Sequence, residues 1–479
     1  MNIYSLFSNF ILKTGYNLKI SKIFVLFLVL FFCCNGNNST SSKKQLPNII
    51  LIIGDDHGYP YFGFMGSKYV KTPNMDSLAK NGTVFTNGYV PDNHCRPALK
   101  SLITGILPTD YKRIEQKIKS DNMLEDEFLM LSEKEKIKWI NNFEYHSLQY
   151  FETLPKLLMS KGYNSFQSGK WWEYHHEYGG FIDGMTKGWK REKVDGRNWF
   201  QQFMGGKGTD IGRVTNKPVF DFINQNKKDP FFIWYAPQLP HYPFDAPNKY
   251  LDLYKNKGFS KSAVQYYANC TWFDDSVGDL VKFLRDNDIL NNTLLIYVND
   301  NGWEQEPNQE FINHPIRSHN GGDKGKLSVY DQSYRTPIIF SWRNKLPIDK
   351  RKKDLIHTTD IFATILDLIN ISPPENIHGI SYKEVINDKI SNPRNFIVGN
   401  SNKIRDISIN ADPMGKDSEN YWVRSGEWFF RNNLTDETQS LFNLREDQFC
   451  NTNLAPDMPN ITNEMLNKIS RWRQERLSD

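Results

Sequence analysis

Residues 47–54, Pro47-Asn-Ile-Ile-Leu-Ile-Ile-Gly54, form a continuous apolar run that stops abruptly at Asp55-Asp56-His57-Gly58. A run without polar alternation suits a strand buried on both faces, as in parallel sheets covered by helices. The pattern recurs three times. Gly162–Ser168 precedes Gly169-Lys170-Trp171, Pro230–Ala236 precedes Pro240-His241-Tyr242-Pro243, and Thr293–Val298 precedes Asn299-Asp300-Asn301-Gly302. Helical periodicity lies between the runs, over Thr153–Lys161 and Tyr267–Leu284. Alternating strands and helices predict an α/β layered fold with a large, mostly parallel sheet sandwiched by helices.

Each predicted strand ends in ionisable or metal-capable side chains. Open α/β sheets bind ligands outside the carboxyl ends of their strands, so four separated segments converge on one site. Asp55, Asp56, Asp300 and Asn301 offer hard oxygen donors, a set suited to Ca²⁺ or Mg²⁺ rather than to zinc. Taken singly, each element also has a plainer reading. Asn301-Gly302 is a strong turn signal, a lysine at a strand end is a solvated charge, and a histidine between prolines is a turn residue. Their joint occurrence favours a site.

Composition narrows the class. Of 479 residues, 39% are hydrophobic and 24% charged, enough for a sizeable core and against global disorder. A net charge of +4 is too balanced for a nucleic-acid binder. Five cysteines exclude a disulfide scaffold and a Cys-rich zinc module. Lys13, Lys19 and Lys22 precede the apolar run Ile23–Cys34, and a Ser/Asn-rich stretch follows it. This reads as an export signal over 1–34 with a polar tether over 35–46. The run falls short of the roughly 20 residues of a membrane span. Cys33 and Cys34 close it as in a bacterial lipoprotein signal. Cys34 is the candidate lipidation site, although Phe31-Phe32-Cys33 are bulkier than the usual small residues. The expected location is periplasmic or outer-membrane lipid-anchored, alternatively secreted, with membrane contact only through that anchor. Without residues 1–33 the chain carries 56 basic and 55 acidic side chains, so the basicity belongs partly to the signal.

The main domain is expected over 47–385; within it the highly charged residues 111–150 read as a solvated helix, alternatively as a lid or peripheral insertion. The pattern loosens near 372–400. Tyr421–Phe430 then reads as a hairpin and Asn460–Glu475 as a terminal helix, giving a smaller α+β C-terminal unit over 395–479.

Further motifs carry a family resemblance. Thr72-Pro73-Asn74-Met75-Asp76 is followed by Cys95-Arg96-Pro97-Ala98-Leu99 and Thr104-Gly105, and later by Lys326 nine residues before Arg335-Thr336-Pro337. With Asp55-Asp56, Gly169-Lys170-Trp171, Pro240-His241-Tyr242-Pro243 and Asp300-Asn301-Gly302, the chain resembles a formylglycine-dependent sulfatase of the alkaline phosphatase superfamily. The motifs run in family order from about residue 47 to residue 370. The resemblance implies an alkaline-phosphatase-like fold and a formylglycine made from Cys95 by a maturation enzyme. It implies a divalent cation, Ca²⁺ rather than Mg²⁺, held by Asp55, Asp56, the modified Cys95, Asp300 and Asn301. It gives Lys170 and Lys326 the sulfuryl charge to stabilise and makes His241 the general acid.

Two positions depart from the family. Leu99 stands where the motif has Arg, with Arg96 and Lys100 nearby, and Trp172 stands where a His follows Gly-Lys-Trp. His175 and His176 are the sequence neighbours that offer a replacement imidazole. Cys270 and Cys450 read as buried structural thiols. Trp234 and Phe231 read as core. Trp172 and Trp303, beside motif residues, fit either core packing or stacking on a sugar face. The expected substrate is a sulfated small molecule or oligosaccharide. The competing readings are a phosphate or phosphonate ester hydrolase of the same superfamily and a non-catalytic carbohydrate-binding relative.

Overall fold

The computed structural model describes residues 46–122, 130, 132, 134–135, 146–188, 192–311, 321–404 and 416–477. The expected export signal, Cys34 and the tether up to Gln45 lie outside the described residues, as does much of 111–150. Among the described residues there are twelve strands: β1 Asn48–Gly54, β2 Thr83–Tyr89, β3 Asn164–Gly169, β4 Asp183–Gly184, β5 Phe231–Ala236, β6 Thr293–Asn299, β7 Arg335–Ser341, β8 Lys350–His357, β9 Phe396–Ile404, β10 Lys416–Ser425, β11 Trp428–Asn433 and β12 Gln439–Asn443. The helices that matter below are α1 Pro73–Lys80, α2 Cys95–Thr104, α3 Pro108–Asn122, α4 Leu154–Met159, α5 Lys217–Asn226, α6 Lys261–Asp286, α7 Thr358–Leu368 and α8 Pro459–Leu477.

The first eight strands make one sheet in the order β4-β3-β5-β1-β6-β7-β2-β8. Only β7 runs against its neighbours; the other pairings are parallel. The four apolar runs are β1, β3, β5 and β6, side by side at the centre and one flank. Period-2 alternation sends their side chains to two cores. Ile49, Leu51, Ile53, Trp234 and Ile296 meet Leu102, Leu158 and Phe362 of α2, α4 and α7. Ile50, Ile52, Ile233 and Tyr297 meet Met75, Phe222 and Val277 of α1, α5 and α6. Both faces are therefore dry, which is why these strands read as unbroken apolar runs.

α6 begins six residues before its predicted start, because the Ser260 hydroxyl accepts from Ala263 N at 3.0 Å and caps it. The predicted hairpin is β10–β11, turning at Gly426-Glu427. With β9 and β12 it forms a second, antiparallel sheet. Val423, Phe430 and Leu441 on one face pack on Met465, Ile469 and Trp472 of α8. Trp422 and Phe429 on the other face pack on Tyr89, Ala98 and Tyr334 of the large sheet's surroundings. Among the described residues, no helix is long and apolar enough to cross a membrane.

Candidate active site

β1, β3, β5 and β6 share a direction, so the residues that follow each reach one edge of the sheet. Asp55 follows β1, Lys170 follows β3, His241 follows β5 by a short loop, and Asp300 follows β6. β7 runs the other way, so the segment that precedes it, carrying Lys326, opens at the same edge. β2 ends there too, and its continuation delivers Cys95 as the first residue of α2. Asp55, Asp56, Cys95, Lys170, His241, Asp300, Asn301 and Lys326 all converge.

Backbone geometry sharpens the placement. Gly169 has φ +80°, and a Cβ there would lie 1.9 Å from the Ala236 carbonyl oxygen, so no side chain fits. The tight turn lets Lys170 N donate to that oxygen at 2.7 Å and sends the lysine side chain inward. Asp56 sits in the left-handed region at φ +59°. Its N–H donates to Asp300 Oδ1 at 3.1 Å, and its carbonyl accepts from Tyr266 of α6 at 2.9 Å.

The ligand atoms of Asp55, Asp56, Cys95 and Asp300 all lie within 4.8 Å of one another, and all four residues are buried. Lys170 Nζ pairs with Asp55 and, at 3.0 Å, with Asp300 Oδ2. Lys326 Nζ pairs with Asp56 Oδ1 at 2.8 Å. Asn301 Nδ2 donates to Cys95 Sγ at 3.2 Å and to Asp300 Oδ1 at 3.0 Å. His241 Nε2 lies 3.5 Å from Asp56 Oδ2, and its Nδ1 faces the Tyr242 carbonyl at 2.5 Å.

The electrostatics of this cluster are those of a cation site. Three carboxylates against two ammonium groups leave a net negative charge. Burial raises the Asp300 carboxyl above its ordinary value, while Lys170 pulls it back down. Burial opposes the charge on both lysines, yet the aspartates raise each above the usual lysine value and keep it charged. Burial, with Asp300 adding to it, pushes the Cys95 thiol up to about 12, so the unmodified side chain is a weak nucleophile here. Burial lowers the His241 imidazole. Asp55 Oδ2 and Asn301 Oδ1 are buried and have no hydrogen-bond partner. Hard oxygens left unsatisfied beside clustered carboxylates suit a divalent cation of the Ca²⁺/Mg²⁺ class.

An ion pair joins the surroundings of the two departures. Leu99 is buried in the core against the sheet. Lys100 turns away to a buried pair with Glu115 of α3, bonding Ser147 at 2.7 Å. Arg96, in the first turn of α2, forms a fork with Glu173 at 2.9 and 3.1 Å. Glu173 directly follows Trp172, whose ring centroid lies 5.5 Å from Lys170 Nζ and 5.0 Å from the Phe203 ring. His176 Nδ1 is 3.0 Å from the Thr186 carbonyl, and His175 Nδ1 accepts from Glu177 N at 3.3 Å. Both imidazoles are thus engaged within their own loop. Trp303 is core: it is 1% exposed and stacks on Tyr266 at 5.0 Å. Cys270 and Cys450 are buried and free.

Sequence reasoning missed the braces. Arg213 donates to the carbonyls of Gln238 at 2.7 Å and His241 at 2.7 Å, fastening the His241 loop. Tyr266 also accepts from Gly58 N at 3.0 Å, holding both ends of the Asp56 turn. Lys324 reaches the Phe449 carbonyl at 2.6 Å, so the small sheet's neighbourhood anchors the segment that carries Lys326. No spacing signal marks these residues; each acts through a partner distant in sequence.

Comparison with known proteins agrees with this geometry. The sulfatase family matches residues 47–371, and the C-terminal family described as N-sulphoglucosamine sulphohydrolase matches 322–475. An arylsulfatase of Clostridium perfringens is 24% identical over 461 residues, covering 85% of this chain and 90% of its own. An ulvan-active sulfatase of Formosa agariphila is 23% identical over 470 residues, covering 89% of this chain and 80% of its own. The crystal structure of Ps i-CgsB in complex with k-i-k-neocarrahexaose superposes with a TM-score of 0.65 at 23% identity, covering 89% of this chain and 93% of that one. The chain belongs to the sulfatase family of the alkaline phosphatase superfamily, the hydrolases of sulfate esters.

Proposed function

We propose that this chain is an exported sulfatase of sulfated carbohydrate that works through a formylglycine derived from Cys95 and a Ca²⁺ ion. One observation carries the reading. Cys95, at the N-terminus of α2, shares a buried cluster with three carboxylates, and two lysines pair with those carboxylates. The carbohydrate part draws support from the ulvan-active relative and the carrageenan-type oligosaccharide bound by the structural neighbour. Export, with a lipid anchor at Cys34, rests on the N-terminal pattern.

Asp55, Asp56, Asp300 and Asn301 would hold the cation, which supplies charge neutralisation and lowers the pKa of an adjacent hydroxyl. Formylglycine at position 95 would supply the nucleophile as a hydrated aldehyde and split one hard displacement into two easier steps. The chain's own groups do the rest. Cys95, the first residue of α2, stands at the positive end of that helix's dipole, which favours negative charge there. Lys170 and Lys326 oppose the charge that builds on the sulfuryl oxygens, in a dry pocket where such interactions are strong. His241 donates the proton that the leaving alkoxide needs. Its Nδ1 faces a carbonyl, an acceptor only, so the imidazolium offers its labile proton at Nε2. Arg213 fastens the main chain of the loop that carries that ring.

Mass spectrometry of the Cys95 peptide from natively expressed protein, with desulfation assays on a sulfated oligosaccharide panel, tests the reading. Formylglycine at Cys95 and sulfate release from saccharides are expected. An intact thiol in active protein overturns the nucleophile assignment. Activity confined to small aryl sulfates overturns the carbohydrate assignment, and faster phosphate or phosphonate hydrolysis favours the competing esterase.

A further inference from the structure

The edge strand next to β3 borders a second cavity. β4 pairs in parallel with β3, so Met185-Thr186-Lys187 leave the sheet at the same edge as Lys170. Together with residues from the 194–207 stretch they line an open cavity of about 430 Å³. Neighbouring strands lie about 4.8 Å apart, so the cavity lies beside the strand end that carries Lys170. The contact is direct. A Cβ built on Gly205, in the cavity wall, would lie 3.6 Å from the Gly169 carbonyl and 3.9 Å from Lys170 Cα.

The lining has one sign of charge in excess. Lys187, Arg197 and Lys207 face Asp195 alone among the lining acids. Arg197 pairs with Asp210 at 2.7 Å, and Lys207 makes an exposed 3.4 Å contact with Asp195. Among the described residues Lys187 has no ion-pair partner. Thr186 supplies the independent sign of a ligand. It is 3% exposed, lines the cavity, and its hydroxyl makes no hydrogen bond. A buried hydroxyl without a partner is expensive, and a rotation about its χ1 would offer it to an oxygen of a bound ligand. Gly206 adds bare backbone, with φ +54° and no atom within 4 Å of where a Cβ would stand. Lysine, arginine, hydroxyl and open backbone together recognise an oxyanion with several acceptor atoms.

We propose that this cavity binds a second anionic group of the substrate, a sulfate or a carboxylate on the same saccharide that carries the scissile ester. The proposal rests on the sulfatase reading and narrows it to polyanionic saccharides. A mono-anionic sugar sulfate would leave the cavity unused.

Three disaccharide probes test it: one sulfate, two sulfates, and one sulfate with a uronate. In the wild type, kcat/KM is expected to favour the doubly anionic probes. In Lys187→Ala/Lys207→Ala that preference falls by about tenfold, mostly through KM, the worth of a lost charge-assisted contact. Thr186→Val, which keeps the side-chain shape, cuts it by roughly threefold. The uronate arm separates carboxylate from sulfate. Equal losses on singly and doubly anionic probes, or no preference in the wild type, overturn the proposal. Binding of the same probes to a Cys95→Ala variant reads the cavity without turnover: the affinity gap between one and two anions must be present and must vanish on adding the lysine substitutions. A wild type that desulfates nothing, aryl sulfates included, sinks the sulfatase reading, and the binding gap still decides the cavity.

Discussion

Lys170→Met removes one charge and keeps the length of the stem. The ammonium group is 2% exposed and sits between Asp55 and Asp300, themselves 2% and 0% exposed, so it is an almost wholly buried ion-pair partner. Losing one member of such a pair costs about 3–5 kcal/mol, because the remaining charges stay buried and uncompensated. The same group faces the charge that develops on sulfur's oxygens, and removing one such contact lowers the rate by about 10²–10³. Two assays follow: kcat/KM on an aryl sulfate, and chemical unfolding with chelator and with saturating Ca²⁺. The stability deficit should be larger with chelator, since a bound cation replaces the lost positive charge. The pH dependence has a definite sign. Burial already raises the Asp300 carboxyl despite Lys170, and the variant raises it further. The folded state then binds a proton that the unfolded state releases, so the metal-free variant gains stability as pH falls toward that raised value. A kcat/KM within about threefold of wild type refutes the catalytic part. Equal stability deficits with and without Ca²⁺ refute the placement of the cation.

His241→Asn should slow sugar-sulfate hydrolysis by about 10²–10⁴, and the loss should shrink for aryl sulfates whose leaving group needs no proton. Equal losses on both would assign His241 a purely structural role. Arg96→Met and Glu173→Gln, singly and together, should show a coupling of roughly 1–3 kcal/mol in unfolding free energy, discounted because Arg96 is 25% exposed. Additive effects would show that the fork does not tie α2 to the Trp172 loop. Saturating Ca²⁺ at about 100 times its Kd should stabilise the protein by about 2.7 kcal/mol, and Asp55→Asn/Asp300→Asn should abolish that gain. Mg²⁺ in the same titration measures the selectivity.

The sheet centre and the site were legible because each is encoded locally. A strand buried on both faces must be apolar throughout, so β1, β3, β5 and β6 announce themselves within a residue or two of their observed bounds. A parallel sheet also makes strand ends converge, so the polar residues after those four runs mark the site before any coordinate is known. β4, two residues long, and β8, which opens Lys350-Arg351-Lys352-Lys353, carry no such signature. They are edge strands with one side open, and charge there is tolerated.

From residue order alone came the large α/β sheet, the smaller C-terminal unit, and the gathering of Asp55, Asp56, Cys95, Lys170, His241, Asp300, Asn301 and Lys326. Side-chain choices that depend on distant partners were decided only in three dimensions. Trp303 went to the core because Tyr266 offers it a flat face, while Trp172, with the same sequence credentials, stayed beside Lys170. Arg96 found Glu173, Arg213 found the His241 loop, and Thr186 was left with an unanswered hydroxyl beside three cations. Local patterning reports which face of an element is buried. The partner across the gap is set by how the elements pack, and that is a property of the whole fold.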